Sequence, residues 1–344
     1  MRYVIIGAGA IGGTLGGRLA QHSPHPPLLI ARGDHGAAIA ANGLRLRSPD
    51  DDTVVRVSVA SNPADVTLLD DDVLVFATKT QQIEDAVLQW VDQPVVSASS
   101  SLLVGTAGDL LPVFTALNGI ESERIALRYF RRVFGICVWL PAVHLTAGEV
   151  AVRIAPTSGT FIIGRYGARA DASDRALLTT LAADWEASTF RVFVVDDVMP
   201  WKHRKLLANL GNAVQALLGP SFSPSLMPRI RAEAEETFRT AGITMPSDAD
   251  EEEWRGDVFS TRPIPGLEGS LGGSSWQSLQ RGAGSIETDF LNGEIALLAR
   301  SQGRDAPLNA TVQRLARQAS AKGTGAGSMA EAELTAELDA ALRP

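Results

Sequence analysis

Cysteine is nearly absent from this chain of 344 residues, since Cys137 is its single copy. One thiol cannot form an intramolecular disulfide or a cysteine-rich metal site, which excludes a disulfide scaffold and favours a reducing, cytoplasmic location. The five histidines are scattered without metal-ligand spacing, and no G-x-S-x-G nucleophile elbow occurs. We therefore expect neither a metal centre nor serine-hydrolase chemistry.

Long apolar runs and excess positive charge are also lacking. No stretch reaches the roughly 18 to 20 uninterrupted apolar residues that cross a bilayer. The apolar N-terminus is broken by glycines and has only Arg2 as a basic lead, which is not typical of a signal peptide. A net charge of −8 disfavours a phosphate backbone as the main partner. We expect no membrane partner and no nucleic-acid partner.

What remains is the composition of a globular protein, with 45% hydrophobic and 20% charged residues. At about 150 residues per domain, the length predicts two domains. Apolar runs of strand length recur in the first half, at Tyr3–Ile6, Pro27–Ala31, Val73–Ala77, Val133–Leu140 and Thr160–Gly164. Their alternation with helical stretches predicts βαβ units and a parallel sheet over residues 1–195.

Beyond residue 195 the hydrophobic period changes to that of helices, as in Trp201–Leu218 and Ser285–Gln302. This pattern predicts an all-helical second domain over residues 196–344, with apolar surface sufficient for a homodimer. Within it, Asp248–Glu253 is expected to be a solvated acidic loop. The Gly/Ala-rich stretch from Ala321 is expected to be a loosely held tail.

The first candidate site is a glycine-rich turn, in which Gly7, Gly9 and Gly12 form G-x-G-x-x-G between a strand and a helix. Such glycines let the backbone approach a pyrophosphate, and the helix N-terminus at Ala10 and Ile11 meets its charge. The alternative is a tight turn with a structural role only. The context favours a dinucleotide-binding, doubly wound Rossmann-type sheet.

The residue that follows the second strand indicates which dinucleotide binds. NAD-binding sheets carry an Asp or Glu there for the ribose hydroxyls, whereas this strand is followed by Arg32. A guanidinium suits the 2′-phosphate of NADP. We predict NADP, with a solvated surface arginine as the alternative.

Two further residues follow strands of the predicted sheet. Lys79 comes after the run that ends at Ala77, and Asn118 follows the run 112–117. Open α/β sheets place ligands at the carboxyl ends of their strands, so both are candidates to orient nicotinamide or substrate. Asn-Gly is also a common turn, and a lysine after a strand is often simply exposed.

A helical projection of Trp201–Leu218 places Lys205, Asn209 and Asn212 on one face. Leu206, Leu210, Val214 and Leu217 lie on another side and are expected in a core. Two amides and an ammonium without a carboxylate can bind an oxyacid, although a polar stripe is more commonly just solvated.

The predicted helix Ser285–Gln302 carries a carboxylate on its apolar side. Glu287 and Glu294 lie near the centre of an arc formed by Ile286, Phe290, Leu291, Ile295, Leu297 and Leu298. A buried carboxylate needs a partner, and Lys205 is a candidate counter-ion. The alternative is a buried ion pair that only fixes helix packing.

These motifs together resemble the ketopantoate reductase family, whose members join an N-terminal Rossmann domain to a helical C-terminal domain. The matching residues are Gly7–Gly12, Arg32, Ala77–Lys79, Leu117–Ile120, Lys205–Asn209, Ser274–Ser275 and Ile286–Gly293. The resemblance implies that Lys205 is the general acid and that Asn118 and Lys79 lie near nicotinamide and substrate. It also implies that Glu287, Ser275 and Asn209 belong to the substrate site.

The chain departs from the family pattern around the substrate. Leu117 stands where the family usually has Gln, Asn212 precedes the expected asparagine position at Ala213, and Ser223 replaces a further asparagine. The resemblance implies NADPH-dependent reduction of the small-molecule 2-oxo acid 2-dehydropantoate (ketopantoate). The alternatives are reduction of another 2-oxo acid or ketone, and a non-catalytic NADP-binding regulator.

Overall fold

The fold is described from a computed structural model of the whole chain. The described residues are 1–144, 146–219, 224–267, 272–280, 282 and 285–343. The chain forms two compact units. Unit 1 comprises Met1–Leu117, Glu121–Trp201 and Asp248–Glu268, and unit 2 comprises Asn118–Ile120, Lys202–Ser247 and Gly269–Pro344.

The regular elements alternate between strands and helices up to residue 195 and are helical afterwards. The strands are β1 (Arg2–Ile6), β2 (Pro27–Ile30), β3 (Leu44–Arg47), β4 (Asp52–Val55), β5 (Ser58–Ala60), β6 (Leu68–Leu69), β7 (Asp72–Phe76), β8 (Pro94–Val96), β9 (Leu103–Thr106), β10 (Pro112–Thr115), β11 (Arg132–Trp139), β12 (Ala142–Val143), β13 (Glu149–Val152), β14 (Gly159–Arg165) and β15 (Phe190–Val195). The helices are α1 (Ala10–His22), α2 (Gly33–Asn42), α3 (Ile83–Trp90), α4 (Ala107–Leu110), α5 (Ser122–Leu127), α6 (Ala172–Ala187), α7 (Met199–Asn209), α8 (Gly211–Leu218), α9 (Met227–Thr240), α10 (Asp248–Arg255), α11 (Ser274–Gln280), α12 (Asn292–Ser301), α13 (Pro307–Ala321) and α14 (Glu331–Ala341).

Unit 1 is built on a sheet whose strand order is β15-β14-β11-β10-β7-β1-β2-β5. From β11 to β5 every neighbouring pair is parallel, whereas β14 joins β11 in the antiparallel direction. This parallel order is that of the Rossmann fold, in which the strand order reverses between β1 and β7. The predicted doubly wound α/β class with an all-helical region after it is confirmed.

The alternation of side chains along β1 shows that the sheet is covered on both faces. Tyr3 and Ile5 belong to one apolar cluster, and Val4 and Ile6 belong to another. Since successive strand residues point to opposite faces, a continuous apolar run is what a sheet buried on both sides requires. Two smaller sheets, β12-β13-β3-β4 and β6-β8-β9, were not predicted.

The acidic segment after residue 247 corrects the sequence prediction, because Asp248–Glu253 lies within helix α10 and not in a loop. Its first turn is acidic and its last turn carries Arg255, which complements the helix dipole at both ends. Trp254 stacks between Phe193 and Trp201, with ring centroids 4.5 and 4.1 Å away. These stacking contacts attach the segment to unit 1.

In unit 2, the apolar side of α7 and α8 is buried as predicted. Leu206, Leu210, Val214 and Leu217 all belong to one core cluster. The predicted helix over Ser285–Gln302 is wrong in its continuity, because a 3-10 turn at Glu287–Phe290 precedes α12.

The break falls at Leu291, which has the non-helical backbone angles φ −118° and ψ −86°. Leu297, assigned to the apolar arc, is exposed, because it lies on the side of α12 opposite to the buried Ile295 and Ala299. Glu287 lies in the short turn and not at the N-terminus of a long helix.

The prediction of a loosely held tail is also wrong for its last part, since α14 packs into the core of unit 2. Leu334 and Leu338 are fully buried in the same cluster as the α8 leucines. The prediction followed the Gly/Ala-rich composition of residues 321–330 and missed the i, i+4 pair of leucines that comes after them. Over the ranges that the structure describes, no helix is long and apolar enough to span a membrane.

Replacing Leu338 by Ala tests the packing of α14. We expect the free energy of unfolding to fall by about 2–5 kcal/mol, as for other buried leucines. Leu342, just after the helix and 53% exposed, is the matched control, and Leu342→Ala is expected to change stability by less than about 0.5 kcal/mol. Chemical denaturation followed by circular dichroism measures both, and equal effects of the two substitutions would contradict the packing.

Candidate active site

In unit 1, the three glycines of the turn between β1 and α1 differ in their steric surroundings. Gly7 has φ +101°, and a Cβ there would lie 2.9 Å from the Ala77 carbonyl oxygen. At Gly12 a Cβ would collide with the Gly7 carbonyl oxygen and lie 2.9 Å from the Cβ of Ala77. At Gly9 a Cβ would meet no atom within 4 Å. The first and third glycines thus bring the helix close to the strands, and the second leaves open space.

This open space adjoins the N-terminus of α1. Gly9 is the N-cap and provides no side-chain cap, and the first turn carries no acidic residue. The first amides of a helix, here those of Ala10 and Ile11, lack intrahelical acceptors and favour an anion. The residues therefore fit the pyrophosphate of a dinucleotide, as the sequence predicted.

Arg32 follows β2 and is the N-cap of α2, with an exposed side chain. Its backbone is extended, at φ −113° and ψ 164°, and its carbonyl accepts the N–H of Gly36. No acidic side chain ends this strand. The position is accessible to a charged group on the ribose.

Lys79 lies beyond the carboxyl end of β7, next to the glycine turn. A Cβ on Gly7 would lie 3.1 Å from the backbone nitrogen of Thr78, so this segment borders the turn directly. Lys79 is half-buried and begins the 3-10 turn Thr80–Gln82. The predicted position of Lys79, just beyond the carboxyl end of a parallel strand, is therefore observed.

In unit 2, Lys205 and Asn118 are brought together from distant parts of the chain. Lys205 is buried, and its Nζ donates a hydrogen bond of 2.5 Å to Oδ1 of Asn118. Gly119 has φ +78°, and a Cβ there would lie 2.8 Å from the Phe290 carbonyl oxygen, so the Asn-Gly sequence also serves as a turn. The turn thus places the Asn118 amide at the Lys205 ammonium, and a role of Asn118 toward nicotinamide or substrate stays a prediction.

A second polar group of unit 2 surrounds Glu287. This carboxylate is buried and accepts a 3.1 Å hydrogen bond from Oγ of Ser274. Ser275 is 2% exposed and Thr288 is 1% exposed. Neither hydroxyl has a hydrogen-bond partner among the described residues. Such buried orphan hydroxyls are what a polar ligand satisfies.

Three amide side chains follow Lys205 along α7 and α8, those of Asn209, Asn212 and Gln215. Asn209 is half-buried, and its Oδ1 is buried without a partner within the described part of the chain. Asn212 and Gln215 lie beside Gly273, at 3.5 and 2.9 Å from the position of a Cβ on that residue. The Asn212 amide therefore lies next to the start of α11, which carries Ser275.

Sequence reasoning missed two contributors to this arrangement, Gln215 and the hydroxyl of Ser274. Oε1 of Gln215 accepts the backbone N–H of Gly273 at 2.6 Å and holds the turn before α11. Ser274 belongs to the Ser274–Ser275 pair that matches the family, but the resemblance implies a role for Ser275 only. The pairing of Gln215 with Gly273 joins positions 58 residues apart and has no signal in the local pattern. The ion pair between Lys205 and Glu287 stays a prediction.

The positions that depart from the family pattern are mainly core positions. Leu117 and Ala213 are buried in apolar clusters. Ser223 lies outside the described residues. At two of the three positions, therefore, an apolar side chain is packed where the resemblance implies an amide.

Family models match both parts of this chain. The model described as ketopantoate reductase PanE/ApbA matches residues 3–167, and the one described as ketopantoate reductase PanE/ApbA C terminal matches residues 197–320. The chain belongs to the ketopantoate reductase family. The family is one of pyridine-nucleotide-dependent reductases that act on a keto group.

Curated relatives carry the same family assignment. A 2-dehydropantoate 2-reductase of Mesorhizobium japonicum is 26% identical, over 92% of this chain and 97% of that protein. A 2-dehydropantoate 2-reductase of Halobacterium salinarum is 25% identical, over 94% of this chain and 100% of that protein.

Solved structures share the fold along nearly the whole chain. A PanE/ApbA family ketopantoate reductase from Ralstonia eutropha has a TM-score of 0.71 and 26% identity, covering 94% of this chain and 99% of that one. A D-mandelate dehydrogenase in complex with NADH and anilino(oxo)acetate has a TM-score of 0.72 and 19% identity, with the same coverage. The second likeness shows the fold alone.

Replacing Gly9 or Gly12 by alanine distinguishes an effect on dinucleotide binding from an effect on the stability of the fold. Gly9→Ala is expected to keep the thermal midpoint within a few degrees, because the new methyl meets open space and φ is −69°. It is expected to weaken dinucleotide binding about tenfold or more, since the methyl then occupies the approach to the pyrophosphate. Gly12→Ala is expected to destabilise the protein itself. Differential scanning calorimetry and fluorescence titration measure the two effects, and unchanged binding by Gly9→Ala would contradict this assignment.

Proposed function

We propose that this protein catalyses the NADPH-dependent reduction of 2-dehydropantoate, a small 2-oxo acid, to pantoate. The observation that carries the proposal is the buried ammonium of Lys205 held by Asn118. The same unit contains a buried carboxylate and two buried hydroxyls that have no hydrogen-bond partner among the described residues. This donor set matches a substrate that carries a keto oxygen, a carboxylate and a hydroxyl.

The cofactor is assigned to residues of unit 1 and to Asn118. Gly7, Gly9 and Gly12, with the amides of Ala10 and Ile11, are proposed to hold the pyrophosphate. Arg32 is proposed to pair with the 2′-phosphate, and Lys79 and Asn118 to lie near the nicotinamide. When bound, NADPH supplies the hydride for the keto carbon.

Lys205 is proposed as the general acid. Reduction of a ketone develops negative charge on its oxygen, and an ammonium within about 3 Å neutralises that charge by donating a proton. Asn118 directs the Nζ through its Oδ1 and thereby limits the orientations of the lysine. Burial strengthens the effect, because charges interact more strongly away from water.

The remaining polar groups are proposed to orient the substrate. The hydroxyl of Ser275, for which the described ranges contain no partner, and the amides of Asn209 and Asn212 offer hydrogen bonds to a carboxylate or a hydroxyl. Glu287, held by Ser274, is an acceptor suited to a substrate hydroxyl. The bonds to Ser275 Oγ and Asn209 Oδ1 would satisfy buried polar atoms, each of which otherwise costs about 1–3 kcal/mol.

The direct test is the oxidation of NADPH by the purified protein with 2-dehydropantoate, followed by absorbance, with NADH as the comparison. Turnover with 2-dehydropantoate is expected. Tight NADPH binding without turnover of this substrate would refute the assigned substrate.

One observation favours a second candidate, reduction of a different 2-oxo acid or ketone. Ala213 is packed in the apolar core, whereas Asn212 and Gln215 lie beside Gly273. The amides of this chain are therefore distributed differently from the family pattern. A panel of 2-oxo acids differing in the size and polarity of the side chain distinguishes the two candidates.

Arg32→Ala tests the choice of cofactor. Loss of a guanidinium opposite a phosphate is expected to raise the Kd of NADPH about 10- to 100-fold and to leave that of NADH nearly unchanged, because NADH lacks the 2′-phosphate. Titration of intrinsic fluorescence measures both constants. Equal weakening of the two cofactors would contradict the pairing with the 2′-phosphate.

Lys205→Ala tests the general acid. We expect kcat to fall about 10²- to 10⁴-fold, the usual contribution of general acid catalysis, with the Kd of NADPH nearly unchanged. Lys322→Ala, at an exposed lysine just after α13, is the matched control and is expected to keep wild-type turnover. Near-normal kcat in Lys205→Ala would remove this residue from the chemical step.

A further inference from the structure

His35, in the first turn of α2, joins three segments of unit 1. Its Nε2 lies 2.7 Å from the carbonyl oxygen of Ala8, inside the glycine-rich turn. Its Nδ1 lies 2.9 Å from the backbone nitrogen of Gly148, which directly precedes β13. Its ring packs on that of His144, with centroids 4.0 Å apart. The ring is therefore held at both nitrogens and on one face.

These two contacts determine the tautomer of His35. The Gly148 N–H can only donate, so Nδ1 must be the acceptor and carries no proton. The Ala8 carbonyl can only accept, so Nε2 carries the proton and donates it. If Nδ1 were protonated, its N–H would face the N–H of Gly148, and neither donor would have an acceptor there. Burial lowers the pKa of His35, against a smaller opposing effect of the Ala8 hydrogen bond, and this favours the neutral ring.

The hydrogen bond to the Ala8 carbonyl also fixes the direction of the next backbone amide, the N–H of Gly9. The Ala8 carbonyl and the Gly9 N–H belong to one trans peptide plane and point in opposite directions. With the carbonyl directed at His35, the Gly9 N–H is directed away from His35. Gly9 is the residue at which a Cβ would meet no atom within 4 Å. The imidazole thus sets the direction of an amide at the open part of the turn.

We propose that His35 is a positioning residue for the cofactor, which orients the Gly9 amide toward the pyrophosphate through its hydrogen bond to Ala8. The proposal rests on the proposed dinucleotide-binding function of unit 1. His35 itself touches no part of the cofactor in this scheme. Its contribution is preorganisation, since the amide need not be reoriented when the ligand binds.

The test compares His35→Phe with His35→Gln. Phenylalanine keeps a ring for packing on His144 but has neither a donor nor an acceptor. Glutamine has one donor group and one acceptor group, as neutral histidine does. Fluorescence titration with NADPH and NADH gives the binding constants, kinetics gives kcat at saturating cofactor, and calorimetry gives the thermal midpoint.

For His35→Phe we expect the Kd of NADPH and NADH to rise by the same factor, about five- to tenfold, because the pyrophosphate is common to both. The kcat at saturating cofactor is expected to stay within about twofold, and His35→Gln is expected to recover most of the affinity. His22→Phe, at an exposed histidine at the end of α1, is the matched control and is expected to bind as the wild type does.

Two results would overturn the inference alone, given normal binding by the wild type. One is unchanged Kd values in His35→Phe, whether or not the thermal midpoint falls, and the other is weakening of NADPH binding only. Failure of the wild type to bind either cofactor would instead overturn the proposed function and this inference with it.

Discussion

The close contact between the glycine turn and the end of β7 is the constraint on which unit 1 depends. Gly7 approaches the Ala77 backbone, and Gly12 packs against Gly7 and Ala77, so neither position has space for a side chain. This contact brings the N-terminus of α1 to the point where the strand order reverses. The same close contact places Lys79 beside the glycine turn at the carboxyl edge of the sheet, where open α/β sheets bind ligands.

In unit 2, several polar and charged side chains are buried, which costs free energy unless they form hydrogen bonds. Lys205 has Asn118, and Glu287 has Ser274, as hydrogen-bond partners. The hydroxyl of Ser275 has none among the residues described. The buried charged groups thus have hydrogen-bond partners, while the Ser275 hydroxyl, without a partner in the described part of the chain, is suited to the proposed oxyacid substrate.

The parts of the structure that were predictable from the sequence are those determined locally. The strand, glycine turn and helix at the N-terminus follow from adjacent residues, and the core leucines of α7 and α8 follow from their period. Contacts between distant positions were not predictable: Gln215 with Gly273, His35 with Ala8, and Trp254 with Phe193. Composition also misled where Gly/Ala-rich residues preceded the buried leucines of α14, and where acidic residues formed a helix stabilised by its dipole.

The return of Asp248–Glu268 to unit 1 has a consequence for the order of events during synthesis. Its Trp254 stacks on Phe193 and Trp201, and Arg262 forms an ion pair of 2.5 Å with Asp50. Unit 1 therefore includes residues that are translated after part of unit 2. In a nascent chain that ends at residue 201, Phe193 and Trp201 lack their contact with Trp254. Unit 1 therefore cannot complete its native packing before the first part of unit 2 has been synthesised.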